Sequence, residues 1–304
     1  MRILGHRGAR LVAPENTLAA FHAALAQGAD GVELDVRQTS DGVLVCFHDS
    51  GLGRTTNGRG PLRERTLAEL LALDAGSWFD EAGASGPRAS RMSGPGASRT
   101  SGPRVSRMSA PRASRMSGPR ASRSLGAPWT GVRDGLARRY RGARVPTLAE
   151  VLDSLPGAAL IDVEVKVRGD GPQGPKEVAA LVGGVLAGRT DTGRVMVTSF
   201  SRRVAAAVTA ELPGVRVGLV SPSFIPLGRA LRAVQAAGCS VLAAHASAYS
   251  GPKVHLTTGR AVDEGILLAA WTVDDPGAAR RLADLGVTAV VTDQPGYLAR
   301  SLRT

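Results

Sequence analysis

Two short segments carry carboxylates at a spacing that points to chemistry. In VELDV, Glu33 and Asp35 stand two residues apart. An extended chain repeats every second residue, so both acids share one face while Val32, Leu34 and Val36 take the other. LIDVEVK repeats the device, with Asp162, Glu164 and Lys166 on one face and Ile161, Val163 and Val165 on the other. Carboxylates gathered by two strands repel one another. A single hard divalent cation with oxygen ligands, Mg²⁺ or Ca²⁺, is their natural neutraliser. A buried ion-pair network with Lys166 and Arg7 fits the same residues, and spacing alone does not choose between the two. His6 and His48 each fall where a strand should end. Imidazoles titrate near neutral pH, so a pair flanking a substrate can take a proton from a nucleophile and give one to a leaving alkoxide. Arg7 and Lys166 beside them suit an anion, above all a phosphate oxygen.

These residues need a scaffold that brings strand ends together. β-rich runs appear at 2–5, 31–37, 159–166, 194–199, 215–220, 240–244, 267–273 and 288–292. Alanine- and leucine-rich stretches with helical spacing lie between most of them, at 17–27, 147–155, 176–187, 202–212, 227–237 and 276–285. Eight strands alternating with helices predict an α/β chain folded as a parallel (β/α)₈ TIM barrel, whose chemistry sits at the C-terminal strand ends. A further run, 43–48, follows the tight-turn dipeptide Asp41–Gly42 and reads as a small hairpin inserted after the second strand.

The net charge of +12 is concentrated. Between Pro87 and Gly126 there are nine arginines and no acid, in an octapeptide repeat of the type PRASRMSG, half of it Pro, Gly and Ser. Such a composition cannot bury enough apolar surface to fold, so the sequence predicts a disordered insertion at about 82–133. Removing those 52 residues from 304 leaves 252, close to the roughly 250 of one barrel domain spanning 1–304. No aromatic residue interleaves the arginines, so no specific nucleic-acid partner is expected; weak attraction to anionic surfaces is. A neutral expansion tolerated in a surface loop explains the near-identical copies equally well. No apolar run is long enough to span a membrane, and the opening MRILGHRGA is not a secretory signal. With only Cys46 and Cys239 there is no disulfide scaffold, and a cytoplasmic location is expected.

HRG at 6–8 and PENT at 14–17 resemble the opening of the glycerophosphodiester phosphodiesterase family. Further pieces match in order: ELDV at 33–36, HD at 48–49, RTTNG at 54–58, EVK at 164–166, TSFS at 198–201, WTV at 271–273 and TDQP at 292–295. The resemblance implies metal-dependent hydrolysis of small glycerophosphodiesters to sn-glycerol 3-phosphate and an alcohol. By position it implies Glu33, Asp35 and Glu164 as metal ligands, His6 and His48 as the acid–base pair, and Arg7 and Lys166 as phosphate holders. It favours His6 as base and His48 as acid; the residues themselves leave that order open. Asp162 matches no ligand position and reads as support for the others.

Three residues are candidate supports or substrate contacts. Glu15 sits in PENT and reads either as support for the site or as part of the cap of the following helix, a role Asn16 could also fill. Trp271 ends a strand and could face the glycerol or simply pack, and Phe200 is open to the same two readings. His245 lies at the catalytic end as a bystander, and His22 and His255 read as surface residues, the latter in a loop or helix start. Two rival functions stay open. One is a lysophospholipase D-like or other phospholipase-like enzyme acting on lipid-bearing diesters. The other is a non-catalytic binding protein that uses the basic repeat.

Overall fold

The computed structural model describes residues 1–79, 139–167 and 174–303. The octapeptide repeat, and with it the expected insertion at about 82–133, lies outside them. Strand β1 (Arg2–His6) pairs in parallel with β2 (Gly31–Gln38) on one side and with the last strand, Val287–Thr292, on the other. A short β3 (Leu44–Cys46) runs antiparallel to β2 outside the ring, Val36 opposite Cys46. From β2 the ring continues through β4 (Leu160–Val165), β5 (Val195–Ser199), β6 (Arg216–Ser221), β7 (Val241–His245) and β8 (Leu267–Trp271) to β9, the last strand. Eight parallel strands thus close a (β/α)₈ barrel, and the hairpin predicted after the second strand is present.

The period-two pattern explains the barrel wall. Val32, Leu34, Val36, Ile161, Val163 and Val165 all join one core cluster beneath the outer helices, which leaves the acids of β2 and β4 to face inward. The register sets Glu33 beside Asp162 and Asp35 beside Glu164. Helices α1 (Leu18–Ala26), α2 (Leu67–Leu71), α3 (Leu148–Ser154), α4 (Pro175–Leu186), α5 (Arg202–Glu211) and α6 (Leu227–Ala236) are followed by α7 (Val254–Asp263), α8 (Pro276–Asp284) and α9 (Pro295–Arg303). Thr66 and Thr147 open α2 and α3 with capping boxes closed by Glu69 and Glu150. The sequence predicts no full helix after β7. The segment that forms α7 holds Thr257, Thr258 and Gly259, poor helix formers, and buries only Thr258 and Ala261, so its apolar stripe is faint.

A satellite core lies under the excursion between β2 and α3. Val45, Phe47, Leu52, Leu62, Leu70, Ala75 and Val145 pack together there. This second core gives the loop carrying His48 a fixed seat at the C-terminal end of the barrel. Among the described residues no helix is long and apolar enough to cross a membrane.

Candidate active site

A cleft of about 1040 Å³ opens at the C-terminal strand ends. His6, Arg7, Glu33, His48, Glu164, Lys166, Phe200 and Trp271 line it. Asp35, which is 1% exposed, lies beneath the wall, and Glu15 is buried behind it.

The HRG segment shapes one side. Arg7 and Gly8 both adopt left-handed backbone, φ 55° and 80°. A Cβ on Gly8 would stand 2.4 Å from the backbone of Ala20, so only glycine lets this loop lie against α1. The turn aims the Arg7 amide at Glu33, donating to Oε2 at 2.9 Å. The guanidinium then lies between two acids. Nη1 donates to Glu15 Oε1 at 2.8 Å, and Nε is 3.1 Å from Asp35 Oδ2, an ion pair without hydrogen-bond geometry.

The PENT segment is explained by the same contacts. Thr17 is the N-cap of α1, accepting from the Ala20 amide, so neither Glu15 nor Asn16 caps the helix. Asn16, at φ 56°, makes a reciprocal pair with Asp35: its Nδ2 donates to Oδ2 at 2.8 Å, and the Asp35 amide donates to Oδ1 at 3.2 Å. Glu15 accepts from Arg7 and, through both oxygens, from Arg54 at 2.7 and 2.9 Å.

Ligand oxygens of Glu33, Asp35 and Glu164 lie within 4.8 Å of one another. Lys166 Nζ is 3.0 Å from Asp35 Oδ1 and makes a very short ion pair with Glu164 Oε1, an oxygen that has no hydrogen-bond partner. Burial pushes Glu33 well above the usual carboxylate range, reinforced by the charges of Asp35 and Glu164. Burial raises Glu164 as well, with Lys166 opposing. Asp35 goes the other way: burial opposes its charge, but Arg7, Lys166, His48 and the Asn16 hydrogen bond hold it far below its ordinary value. Burial lifts Asp162 to about 7 despite the 2.8 Å hydrogen bond from Thr198. Three hard oxygen donors within 4.8 Å of one another, two of them reluctant to ionise without a nearby positive charge, fit a divalent cation.

His6 and His48 are each held by an aspartate that the sequence pattern does not single out. His6 Nδ1 lies 2.6 Å from Asp293 Oδ1, and His48 Nδ1 lies 2.6 Å from Asp49 Oδ1. Asp293 is itself fixed: its amide donates to Asp274 Oδ1 at 2.8 Å, and the Thr292 hydroxyl donates to the same oxygen at 2.7 Å. Arg54 donates to both oxygens of Asp49, at 2.6 and 3.1 Å. Burial lowers the His6 pKa, with the Asp293 hydrogen bond opposing. Asp49 and Asp293 lie inside the HD and TDQP motifs, which is the signal that could have found them.

The far wall is aromatic. Trp271 Nε1 donates to the Ala243 carbonyl at 3.0 Å, and its ring meets Phe200 and His245 edge-on at 5.7 and 5.2 Å. Lys166 Nζ stands 5.3 Å from the Phe200 ring centre. His245 caps the following turn by accepting from the Ser247 amide, while His22 and His255 are exposed.

Comparison with known proteins gives this arrangement a lineage. A glycerophosphodiester phosphodiesterase of Bacillus subtilis is 30% identical over 302 residues, covering 96% of this chain and 83% of that one. The crystal structure of a glycerophosphodiester phosphodiesterase from Agrobacterium tumefaciens superposes with a TM-score of 0.65 at 27% identity over 99% of both chains. An Oleispira antarctica phosphodiesterase, solved in complex with the product sn-glycerol-3-phosphate, shares the fold with a TM-score of 0.71 at 24% identity, covering 100% of this chain and 97% of that one. The family model for glycerophosphoryl diester phosphodiesterases matches residues 6–297, from the first histidine to beyond the aspartate that holds it, and the chain belongs to that family of enzymes.

Proposed function

We propose that this enzyme hydrolyses glycerophosphodiesters to sn-glycerol 3-phosphate and an alcohol, with Glu33, Asp35 and Glu164 as the ligands of one divalent cation, Mg²⁺ or Ca²⁺. The observation that carries the reading is the meeting, in one cleft, of the three-carboxylate cluster with two histidines whose Nδ1 atoms are each engaged by an aspartate. When bound, the cation offsets charge on the phosphodiester oxygens and polarises phosphorus toward attack.

The chain's own residues supply the rest. Arg7 and Lys166 draw the phosphodiester anion to the cleft floor and stabilise the charge that spreads over its oxygens in the transition state. An Nδ1–H donated to a carboxylate leaves Nε2 of each imidazole to handle protons. His6 is the base: burial favours its neutral form, and Nε2 accepts a proton from the attacking hydroxyl. That hydroxyl belongs to water or to the substrate's glycerol C2, the second route giving a cyclic phosphate that water then opens. His48 is the acid and protonates the departing alkoxide, which is too basic to leave alone. Glu15 holds Arg7 in place, and Trp271 and Phe200 offer ring faces and edges to the glycerol carbons.

The test is release of glycerol 3-phosphate from glycerophosphocholine and glycerophosphoethanolamine, with chelator, Mg²⁺ and Ca²⁺ arms and Glu33→Ala as control. Metal-dependent release lost in the variant supports the proposal; release untouched by both chelator and substitution overturns it. The apolar stretch of the cleft formed by Val220, Ala243, Trp271 and Phe200 favours a second reading, lipid-bearing diesters. A lysophosphatidylcholine arm in the same assay decides between them. A separate proposal concerns the arginine-rich repeat, outside the described residues: its charge draws the enzyme weakly to anionic surfaces. Salt-sensitive sedimentation with anionic vesicles, compared with a chain lacking 82–133, tests it.

A further inference from the structure

We propose that Arg54 is a positioning residue that couples the grip of Arg7 on phosphate to the orientation of His48 as proton donor. The inference rests on the roles just given to Arg7 and His48.

Four ionic contacts run without a gap between those two residues. Arg7 Nη1 donates to Glu15 Oε1 at 2.8 Å, and Arg54 Nη2 donates to the same oxygen at 2.7 Å. The other edge of the Arg54 guanidinium takes Asp49, with Nε on Oδ2 at 2.6 Å, and Asp49 Oδ1 faces His48 Nδ1 at 2.6 Å. Arg54 is the one member that touches both carboxylates. A planar fork with five donors can satisfy two acids at once, which a single ammonium cannot do with the same geometry.

Its seat is rigid. Arg54 ends a 3₁₀ turn that begins at Leu52, 1% exposed in the satellite core, and the Thr56 hydroxyl and amide both bond back to the Leu52 carbonyl. The turn anchors the Arg54 backbone, while its side chain and that of Asp49 are 42% and 29% exposed; Asp49 lies on a loop, so without Arg54 its carboxylate is free to turn to water. Glu15 would still hold Arg7 but would lose its second cation. The charges in the chain persist across the working pH range: burial opposes ionisation of Glu15, Asp49 and Arg54, yet their mutual contacts outweigh it in each case.

The two arms predict separable defects. Losing the Asp49 arm misdirects the proton donor, which matters for an alkoxide leaving group and hardly at all for p-nitrophenolate, which departs without a proton. Losing the Glu15 arm loosens Arg7, which weakens binding of either substrate. The experiment compares an ethanol ester and a p-nitrophenyl ester of sn-glycerol 3-phosphate with the metal-loaded enzyme. Arg54→Gln is expected to lower kcat on the ethyl ester by about 100-fold and on the p-nitrophenyl ester by less than about 5-fold, while KM rises several-fold on both. Asp49→Asn should reproduce the kcat selectivity alone, and Glu15→Gln the KM rise alone.

Activity retained on the p-nitrophenyl ester shows that each variant is folded. An equal loss of kcat on both esters in Arg54→Gln, or no loss on either, overturns the inference. His48→Ala separates the two levels of argument. Selective loss of the ethyl ester in His48→Ala but not in Arg54→Gln overturns the coupling and leaves the acid assignment standing. Equal loss on both esters in His48→Ala overturns the acid assignment and the coupling with it.

Discussion

The two halves of the barrel interior are built by opposite means. On β2 and β4 the inward positions are Glu33, Asp35, Asp162 and Glu164; on β6, β7 and β8 they include Val220, Ala243 and Ala269, which form a small apolar cluster with Trp271 and Ala289 against it. The acidic half is held by a web of directed contacts from Arg7, Asn16 and Lys166. The apolar half needs only fit, and its Val220 and Ala243 line the cleft itself. Buried charge is expensive and is kept where chemistry requires it, whereas small apolar residues set volume at little electrostatic cost.

The largest effect should follow from neutralising one carboxylate of the acidic half. Glu33→Gln is expected to lower diester hydrolysis on the order of 10³-fold, since the proposed cation would supply several kcal/mol of transition-state stabilisation. Yet its melting temperature in chelator should equal or exceed that of the unmodified enzyme. Burial and the nearby negative charges already disfavour an ionised Glu33, so removing the charge relieves repulsion. Added Mg²⁺ or Ca²⁺ should then raise the melting temperature of the unmodified enzyme and leave Glu33→Gln nearly unmoved. A variant that melts much lower in chelator would show that Glu33 is a structural ion-pair partner instead.

Glu15 tests the opposite electrostatic case in the same half. Burial opposes its charge, but Arg54 and Arg7 depress it from 4.5 to about 2. A depressed carboxyl pKa contributes stability that is fully present above the unfolded value and is lost as pH falls through the folded one. Stability on the order of 3 kcal/mol should therefore disappear between about pH 4.5 and 2. Urea denaturation across that window should show Glu15→Gln well below the unmodified enzyme at pH 6, with the gap closing as pH falls. A gap that stays constant with pH would mean that the loss is packing and not charge.

The contrast between the halves also explains what the sequence disclosed. Period-two alternation in VELDV and LIDVEV reveals which residues face inward because each apolar partner must reach a helix, and the structure places Val32, Leu34, Ile161 and Val163 there. The eight strands and the carboxylate cluster were legible for that reason. Asp293 and Arg54 were not, because their roles depend on partners 287 and 39 residues away in the chain. No local period encodes such a contact. Asn16 shows the same limit on a smaller scale: its type suits a helix cap, yet the buried Asp35 takes its side chain and Thr17 caps α1.

In the apolar half the sensitive quantity is volume. Ala269 is 3% exposed and packs beside Ala243 in the barrel interior. Ala269→Leu is expected to cost about 1–3 kcal/mol, seen as a lower urea midpoint, because a well-packed interior accepts added methylenes only by straining its neighbours. Activity per folded molecule should stay within a few-fold, as no hydrogen bond to the acidic half is touched. A loss approaching that of Glu33→Gln would mean that the two halves are mechanically linked.

Phe200 sits on the seam, its ring near Lys166 of the acidic half and edge-on to Trp271 of the apolar half. At 43% exposure it holds little of the core together, so Phe200→Leu should leave the melting temperature unchanged within about 1 °C. What it removes is the attraction between ring and ammonium, worth about 0.5–1 kcal/mol at an exposed site, and one wall of the cleft. KM should rise about 2- to 5-fold with kcat unchanged. A fall in kcat at constant KM would give the ring a different task. Lys166 would then depend on Phe200 for the position from which it meets the transition state, and the seam would belong to the acidic half alone.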